Sequence, residues 1–379
     1  MKMLVVGSPH SASTRDVWIG VMKGLALNGV QVQSYDLFPR TEFFSSLVEY
    51  VREKNVPIQL LKDIPGPLLL AYEPTFFAAH WFECDAVMFV SPQYLPMEIP
   101  DLLRRTGKKV YAWCTENPYE DQIDAPTKAE HFDGVFLNDL YSVPYWQSFN
   151  PNSHYIPHSY DPDKHFPSWD RPKHRRFHDW QPPENGHDHV VYVGSGFGRR
   201  QKYLESVDWS GIPLKIFGHW PLLRPIKDEK VRREFGYMAP ADDFESPLIP
   251  HVVEKMVENT FTARIYRGAA IGINLHREER WANNDAMMID SGEAYSMGPR
   301  GVELAACGTF QISDPRQEII DVFGDSVPIH HSPDELGDLI RKYLADPAER
   351  RRLAVLQREA IKERTFENNV RRALELAAA

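Results

Sequence analysis

Two groups of residues in this chain have types and spacing suited to a shared chemistry. The first is a glycine-rich turn, Gly194, Ser195, Gly196 and Gly198, running into Arg199, Arg200 and Lys202. Its glycines let backbone approach a ligand closely, and a helix behind it would offer N–H groups to a diphosphate. The second is Arg300 and Glu303, inside a stretch from Gly298 to Gly308. Gly298 and Pro299 fit an N-cap and a first helical residue, and Gly308 fits the C′ position. Arg300 and Glu303 are three apart, so they share a helix face. An arginine beside unsatisfied N–H groups suits phosphate, and a carboxylate one turn further can accept from both hydroxyls of a ribose diol. Taken singly, a glycine turn and a surface ion pair are the plainer explanations. The cations after the turn favour a ligand, since a leaving diphosphate needs positive partners. The turn is not the dinucleotide fingerprint, because Arg199 stands in the third glycine's place, and it lacks the Gly-Lys-Ser/Thr of a Walker loop.

The elements that must position these groups read as alternating strands and helices. Met3–Val6 is a buried strand, Gly7–His10 a loop, residues 14–28 a helix with Val17, Val21 and Leu25 at helical spacing, and Val30–Tyr35 the next strand. That order predicts a parallel sheet with binding loops at its carboxyl ends. Ala86–Val90, Lys109–Trp113, Gly134–Leu137 and His154–His158 continue the series. In the second half the strands are His189–Val193, Leu214–Phe217, Ala270–Leu275, Thr309–Ser313 and Ser326–His330, with Asp314 and Pro315 opening a helix. Asn274 and His276 end one of these strands, and His219 follows another, so all three are candidate donor-site residues. On the opposite wall, His10, Glu116 and Asp121 are candidate general bases for an acceptor hydroxyl. Loop capping is the competing role for each. Asp161 and Asp163 have D-x-D spacing but read as an Asx turn. Ser332–Glu335 and Asp346–Glu349 are capping boxes, each with proline at the first helical position. They open helices over 333–345 and 347–363, and Thr365 opens a terminal helix to Ala379.

Composition narrows the class. The chain has 379 residues, 42% hydrophobic and 25% charged, which suits a soluble protein of two domains. A net charge of −10 and a pI near 5.8 argue against general coating of nucleic acid. Cys84, Cys114 and Cys307 are scattered and form no CxxC pair, so neither a zinc ribbon nor a disulfide framework is expected, and a cytoplasmic setting fits. No metal-ligand cluster, signal peptide or membrane span is expected. The expected domains are 1–167, a linker over 168–188, 189–364, and a C-terminal helix over 365–379. The linker carries a basic cluster of Arg171, Lys173, Arg175 and Arg176.

Several stretches together resemble the two-Rossmann-domain (GT-B) glycosyltransferases of the group-1 assemblage, above all the spore-maturation-protein type. They are Val191–Ser195 with Arg200 and Leu204; Ile273–His276; Arg300–Asp314; and Asp334–Leu336 with Tyr343, Leu344, Pro347, Arg350, Thr365 and Arg371. Thr115–Tyr119 and Tyr155–Asp161 resemble the first domain more weakly. The resemblance implies an α/β chain of two doubly wound domains facing across a cleft, with the last helix crossing back to the first domain. It implies sugar transfer from a nucleoside-diphosphate sugar to a hydroxyl, without a metal or other cofactor. The donor would lie on Gly194, Ser195, Arg200, His219, Asn274, His276, Arg300 and Glu303, with Glu303 on the ribose and Arg200 and Arg300 at the diphosphate. The acceptor, whether protein, glycan, small molecule or modified nucleic-acid base, would belong to the first domain. Retaining members carry a glutamate eight residues before the one corresponding to Glu303; here that place is Tyr295, and Glu293 is off register. Rival readings are a nucleotide-sugar epimerase and a non-catalytic nucleotide- or sugar-binding module, with a dinucleotide oxidoreductase further off.

Overall fold

The computed structural model describes residues 1–9, 13–54, 66–169, 188–196, 198–225, 244–254, 257–278 and 293–378. The chain forms two compact units, one of Met1–Pro157 with Phe366–Ala379, the other of His158–Thr365. His10, the basic cluster Arg171–Arg176 and most of the expected linker lie outside the described residues.

The first unit is built on a six-stranded, all-parallel sheet in the order β2-β1-β3-β4-β5-β6. Its strands are β1 (Lys2–Val6), β2 (Gln31–Tyr35), β3 (Ala86–Val90), β4 (Lys109–Trp113), β5 (Gly134–Leu137) and β6 (Ser153–Tyr155). Alternate residues feed opposite layers: Leu4, Val6, Val87 and Phe89 pack on one side, and Met3, Val5, Met88 and Val90 on the other. A sheet covered on both faces explains why these strands read as unbroken apolar runs. The terminal helix Phe366–Ala378 completes the second layer. Phe366, Val370 and Ala373 bury beside Trp18, Val21 and Leu25 of the helix Ser13–Leu27.

The second unit has a five-stranded parallel sheet in the order β11-β10-β7-β8-β9. These strands are β7 (Val190–Val193), β8 (Leu214–Phe217), β9 (Val252–Glu254), β10 (Ile271–Asn274) and β11 (Gln311–Ser313). Counted from β7 this is the 3-2-1-4-5 winding, whose reversal point lies between β7 and β10. Tyr192, Ile216, Ile273 and Ile312 face one layer; Val191, Phe217 and Leu304 face the other. The strand expected at Ser326–His330 does not form: a 3-10 turn occupies Gly324–Ser326, and only an isolated bridge joins Ser313 to Ile329. Asp314 does not cap the next helix, Gln317–Phe323, whose N-cap is Arg316. Both capping boxes form, Ser332 accepting from the Glu335 amide and Asp346 from that of Glu349. Asp161 accepts from the Asp163 amide at 2.9 Å, the expected Asx turn.

Among the described residues no helix is long and apolar enough to cross a membrane. Gly20 and Gly24 let the first and last helices touch: a methyl at Gly24 would meet the Phe366 carbonyl oxygen at 2.6 Å. Glycine to alanine in a helix ordinarily stabilises by up to about 1 kcal/mol. Here the sign reverses, because backbone must move. Gly24→Ala is expected to destabilise the first unit by about 1–3 kcal/mol in denaturant melts.

Candidate functional site

The carboxyl ends of β7 and β10 flank the reversal point of the second sheet. Arg300 spans them. Its Nε donates to the Val193 carbonyl at 2.6 Å, and one terminal nitrogen donates to the Leu275 carbonyl at 3.0 Å. The same nitrogen reaches Asn274 Oδ1 at 3.4 Å, and the other donates to the Tyr192 hydroxyl at 3.2 Å. The guanidinium also lies over the Tyr192 ring, 4.6 Å from its centroid. Among the described residues Arg300 pairs with no carboxylate, so its charge is held by neutral oxygens alone. Gly194 makes room for it: a Cβ there would lie 2.2 Å from the guanidinium, and its φ of +154° is one glycine adopts without strain.

Arg200 approaches the same ring from the helix Gly198–Glu205, 5.7 Å from the centroid, and donates to the Ser195 carbonyl at 2.8 Å. It is almost wholly buried. Burial lowers its pKa, and the neighbouring charge of Arg300 pulls the same way. Two guanidiniums on one tyrosine make a cationic focus where a parallel sheet ordinarily receives its ligand. The glycine turn is tied to the next loop, since the Gly196 amide donates to the His219 carbonyl at 2.8 Å and a Cβ at Gly196 would lie 2.4 Å from the Trp220 ring. The His219 side chain is exposed. Arg199 points outward to an ion pair with Glu278 at 3.1 Å.

The helix carrying Arg300 and Glu303 runs Gly298–Ala306. It ends in a Schellman motif: the Gly308 amide bonds to the Ala305 carbonyl and the Thr309 amide to that of Leu304. Its start is fixed from two sides at Met297. The Met297 amide donates to Glu318 Oε2 at 2.7 Å, while Nε2 of His276 reaches the Met297 carbonyl at 2.9 Å. Glu318 is fully buried and paired with Arg364 at 2.6 Å. His276 also faces Asp314, which accepts from the His276 amide at 3.0 Å. Burial lowers the pKa of His276, and the Asp314 carboxylate opposes that. Both ring nitrogens are thereby engaged within the protein, so His276 and Asn274 brace the site rather than present a free group. Glu303 lies two turns from Met297 with 14% of its side chain exposed, and Oε1 accepts from Asn259 at 2.8 Å. Tyr295 turns away to Asp321, donating at 3.0 Å.

Two of the three base candidates, Glu116 and Asp121, are described in the first unit. Asp121 is buried and accepts from the amides of Thr115 and Glu116 at 3.0 and 2.7 Å, which closes the loop after β4. Burial pushes its pKa up to about 6, although the Glu116 amide draws it down. Glu116 is half-buried on that loop, and His10 lies outside the described residues. Sequence reasoning missed Tyr192, Asn259, His165, Asp314 and Glu318 as parts of the site. Tyr192 stood inside a recognised motif, but the apolar run of β7 marked it only as core.

Two outcomes follow from this geometry. Removing Glu318 would strand the Arg364 charge and the Met297 amide together. Glu318→Ala is expected to cost about 3–5 kcal/mol in the unfolding free energy of the second unit. His165 and His330 are buried, and burial lowers both pKa values to about 4. An unfolded histidine takes its proton near 6.5, so below that pH the unfolded chain binds more protons. Stability should fall from about pH 6.5 toward pH 4, by roughly 2 kcal/mol per histidine at pH 5. A series of melts across that range checks it, and His330→Phe should flatten the slope.

Residues 199–375 match the family described as glycosyl transferase-like. No curated protein matches the chain by sequence. Among solved structures it is similar to Anabaena HepE in complex with UDP-glucose, at 9% identity and a TM-score of 0.59 over 99% of each chain. It is similar to the trehalose-6-phosphate synthase OtsA, at 10% identity and 0.59 over 100% of this chain and 98% of that one. An alpha-glucosyltransferase (AGT) in complex with UDP gives 9% identity and 0.58 over 100% of both. At such identities the likeness is one of fold. Residues 199–375 are thus similar to a glycosyl transferase-like family, within an α/β architecture of two Rossmann-like units that is the GT-B fold.

Proposed function

We propose that the protein moves a sugar from a nucleoside-diphosphate donor to a hydroxyl acceptor, with donor binding in the second unit. The observation that carries this reading is Arg300, a guanidinium at the sheet's reversal point whose described partners are all neutral, with Arg200 on the same aromatic ring. A half-buried cation without an anion is costly, and a diphosphate in that place offsets the cost. HepE and AGT, similar in fold, are described with UDP-glucose and UDP bound, which agrees with a nucleotide donor.

In transfer, the bond between the anomeric carbon and the diphosphate oxygen breaks, and the acceptor oxygen bonds to that carbon. The acceptor's proton passes to a base, a role for which Glu116, Asp121 and His10 are the candidates. Negative charge grows on the departing oxygen, where Arg200 and the amides at the start of Gly298–Ala306 stabilise it. These cations and dipoles do the work that a divalent ion does elsewhere, and on this reading turnover is metal-independent. Glu303 accepts from the ribose.

Calorimetry with UDP-, GDP- and dTDP-sugars tests the assignment. At least one should bind, Glu303→Ala should weaken it about 10- to 100-fold, and Arg200→Ala should lower kcat/KM about 100-fold or more. Turnover should survive EDTA. Binding of none of these donors would overturn the reading. Product formed only when acceptor is present separates transfer from epimerisation.

A further inference from the structure

A cleft in the first unit plays no part in the donor reading. It has a volume of about 720 Å³ and opens at the amino ends of β4 and β5, between the helix Glu98–Arg105, Lys109 and Asp133. β4 is five residues long, so about 13 Å of strand separates this cleft from the Glu116 loop at the other end.

Arg104, Arg105, Lys108 and Lys109 fall within six residues of a chain whose net charge is −10. Gly107, at φ +81°, turns the backbone so that the end of the helix and the start of β4 line the same cleft. Lys108 donates to the Cys84 carbonyl at 2.7 Å. Arg104 donates to the Glu130 carbonyl at 3.0 Å, and its Nε stands 3.7 Å from Asp133. Lys109, with 66% of its side chain exposed, reaches the same carboxylate at 3.3 Å. Asp133 also accepts from the Val110 amide at 2.8 Å, so one carboxylate answers three donors. Arg105 is exposed and makes no hydrogen bond or ion pair among the described residues.

The other carboxylates do not cancel this charge. Asp101 faces His131 at 2.8 Å. Glu98 is exposed, is likewise unpaired among the described residues, and lies about 10 Å before Arg105 along the helix. The cleft thus carries cations at one end and an uncommitted carboxylate at the other. Exposed ion pairs such as Lys109–Asp133 contribute little, and a phosphate gripped by arginine competes well with them. A carboxylate repels phosphate but accepts from hydroxyls. The volume is that of a small-molecule site, whereas a nucleic-acid strand would bring further phosphates against Glu98 and Asp101.

We propose that this cleft binds a phosphorylated sugar, with the phosphate on Arg105 and Lys109 and a hydroxyl on Glu98. It is a second site, and it stands independently of the donor assignment.

Equilibrium titrations of the full chain at low salt test it. Glucose 1-phosphate, glucose 6-phosphate and ribose 5-phosphate are compared with inorganic phosphate, glucose and a short single-stranded DNA. At least one sugar phosphate should bind, about 10-fold or more tightly than inorganic phosphate, and saturating UDP should not displace it. Arg105→Gln combined with Lys109→Gln should weaken it about 10-fold or more. Glu98→Ala should bring the ratio of sugar phosphate to phosphate affinity toward unity. All three residues are exposed, and circular dichroism melts check that the variants are folded. Binding of no sugar phosphate, full binding in the double variant, or displacement by UDP overturns the proposal. So does inorganic phosphate binding as tightly, which would make the cleft a plain anion patch, or DNA binding more tightly, which would make it a nucleic-acid surface. Donor binding is read separately, so failure of either assignment leaves the other standing.

Discussion

The second unit depends on how one arginine is held. A doubly wound sheet opens at the point where its winding reverses, because neighbouring strands there send their connections to opposite faces. Arg300 closes that opening with its guanidinium, tying the last carbonyls at the ends of β7 and β10. A planar fork with five donors can do this where a lysine could not. The arrangement fixes the strand ends and places positive charge where a ligand enters. On the proposed reading stability and chemistry draw on the same side chain, and Gly194 is required because any Cβ would displace it.

The helix that carries Arg300 is itself held at its first turn. Met297 is gripped through its amide by the buried Glu318–Arg364 pair and through its carbonyl by His276. A buried ion pair is weak evidence for net stability, since desolvation of both charges offsets their attraction. Its value here is positional. The carboxylate points one oxygen at the amide and the other at the guanidinium, so the helix start has little freedom of rotation. Glu303 and Arg300 inherit that fixed orientation, which the proposed donor site would require of a charge meeting a diphosphate and a carboxylate meeting a diol.

The first unit shows a different division of labour. Its loop after β4 is organised by Asp121, whose buried carboxyl gathers two amides while Asn117 engages Trp146 and Asn138. A residue so committed holds a loop in shape. Its neighbour Glu116 is half-buried on that loop. The terminal helix joins this unit although it follows the second in sequence, and Gly20 and Gly24 permit its close approach.

Much of this was legible from residues alone. Strands such as Ala86–Val90 and Lys109–Trp113 are marked by apolar runs bounded by polar loops, and the capping boxes by chemistry local to four residues. Such signals are short-range, so the sequence carries them in full. The motif Arg300–Asp314 and its expected C′ glycine, Gly308, were likewise local. What sequence could not show is which groups meet across long separations. His165 lies far from Glu303 in the chain, and Asp314 looked like a helix cap until the fold set it against His276. Ser326–His330 had the composition of a strand, yet the bridge at Ile329 is all that pairs there. Local composition marked most of the elements; only packing decided which side chains are committed to structure, because that depends on partners brought together through space.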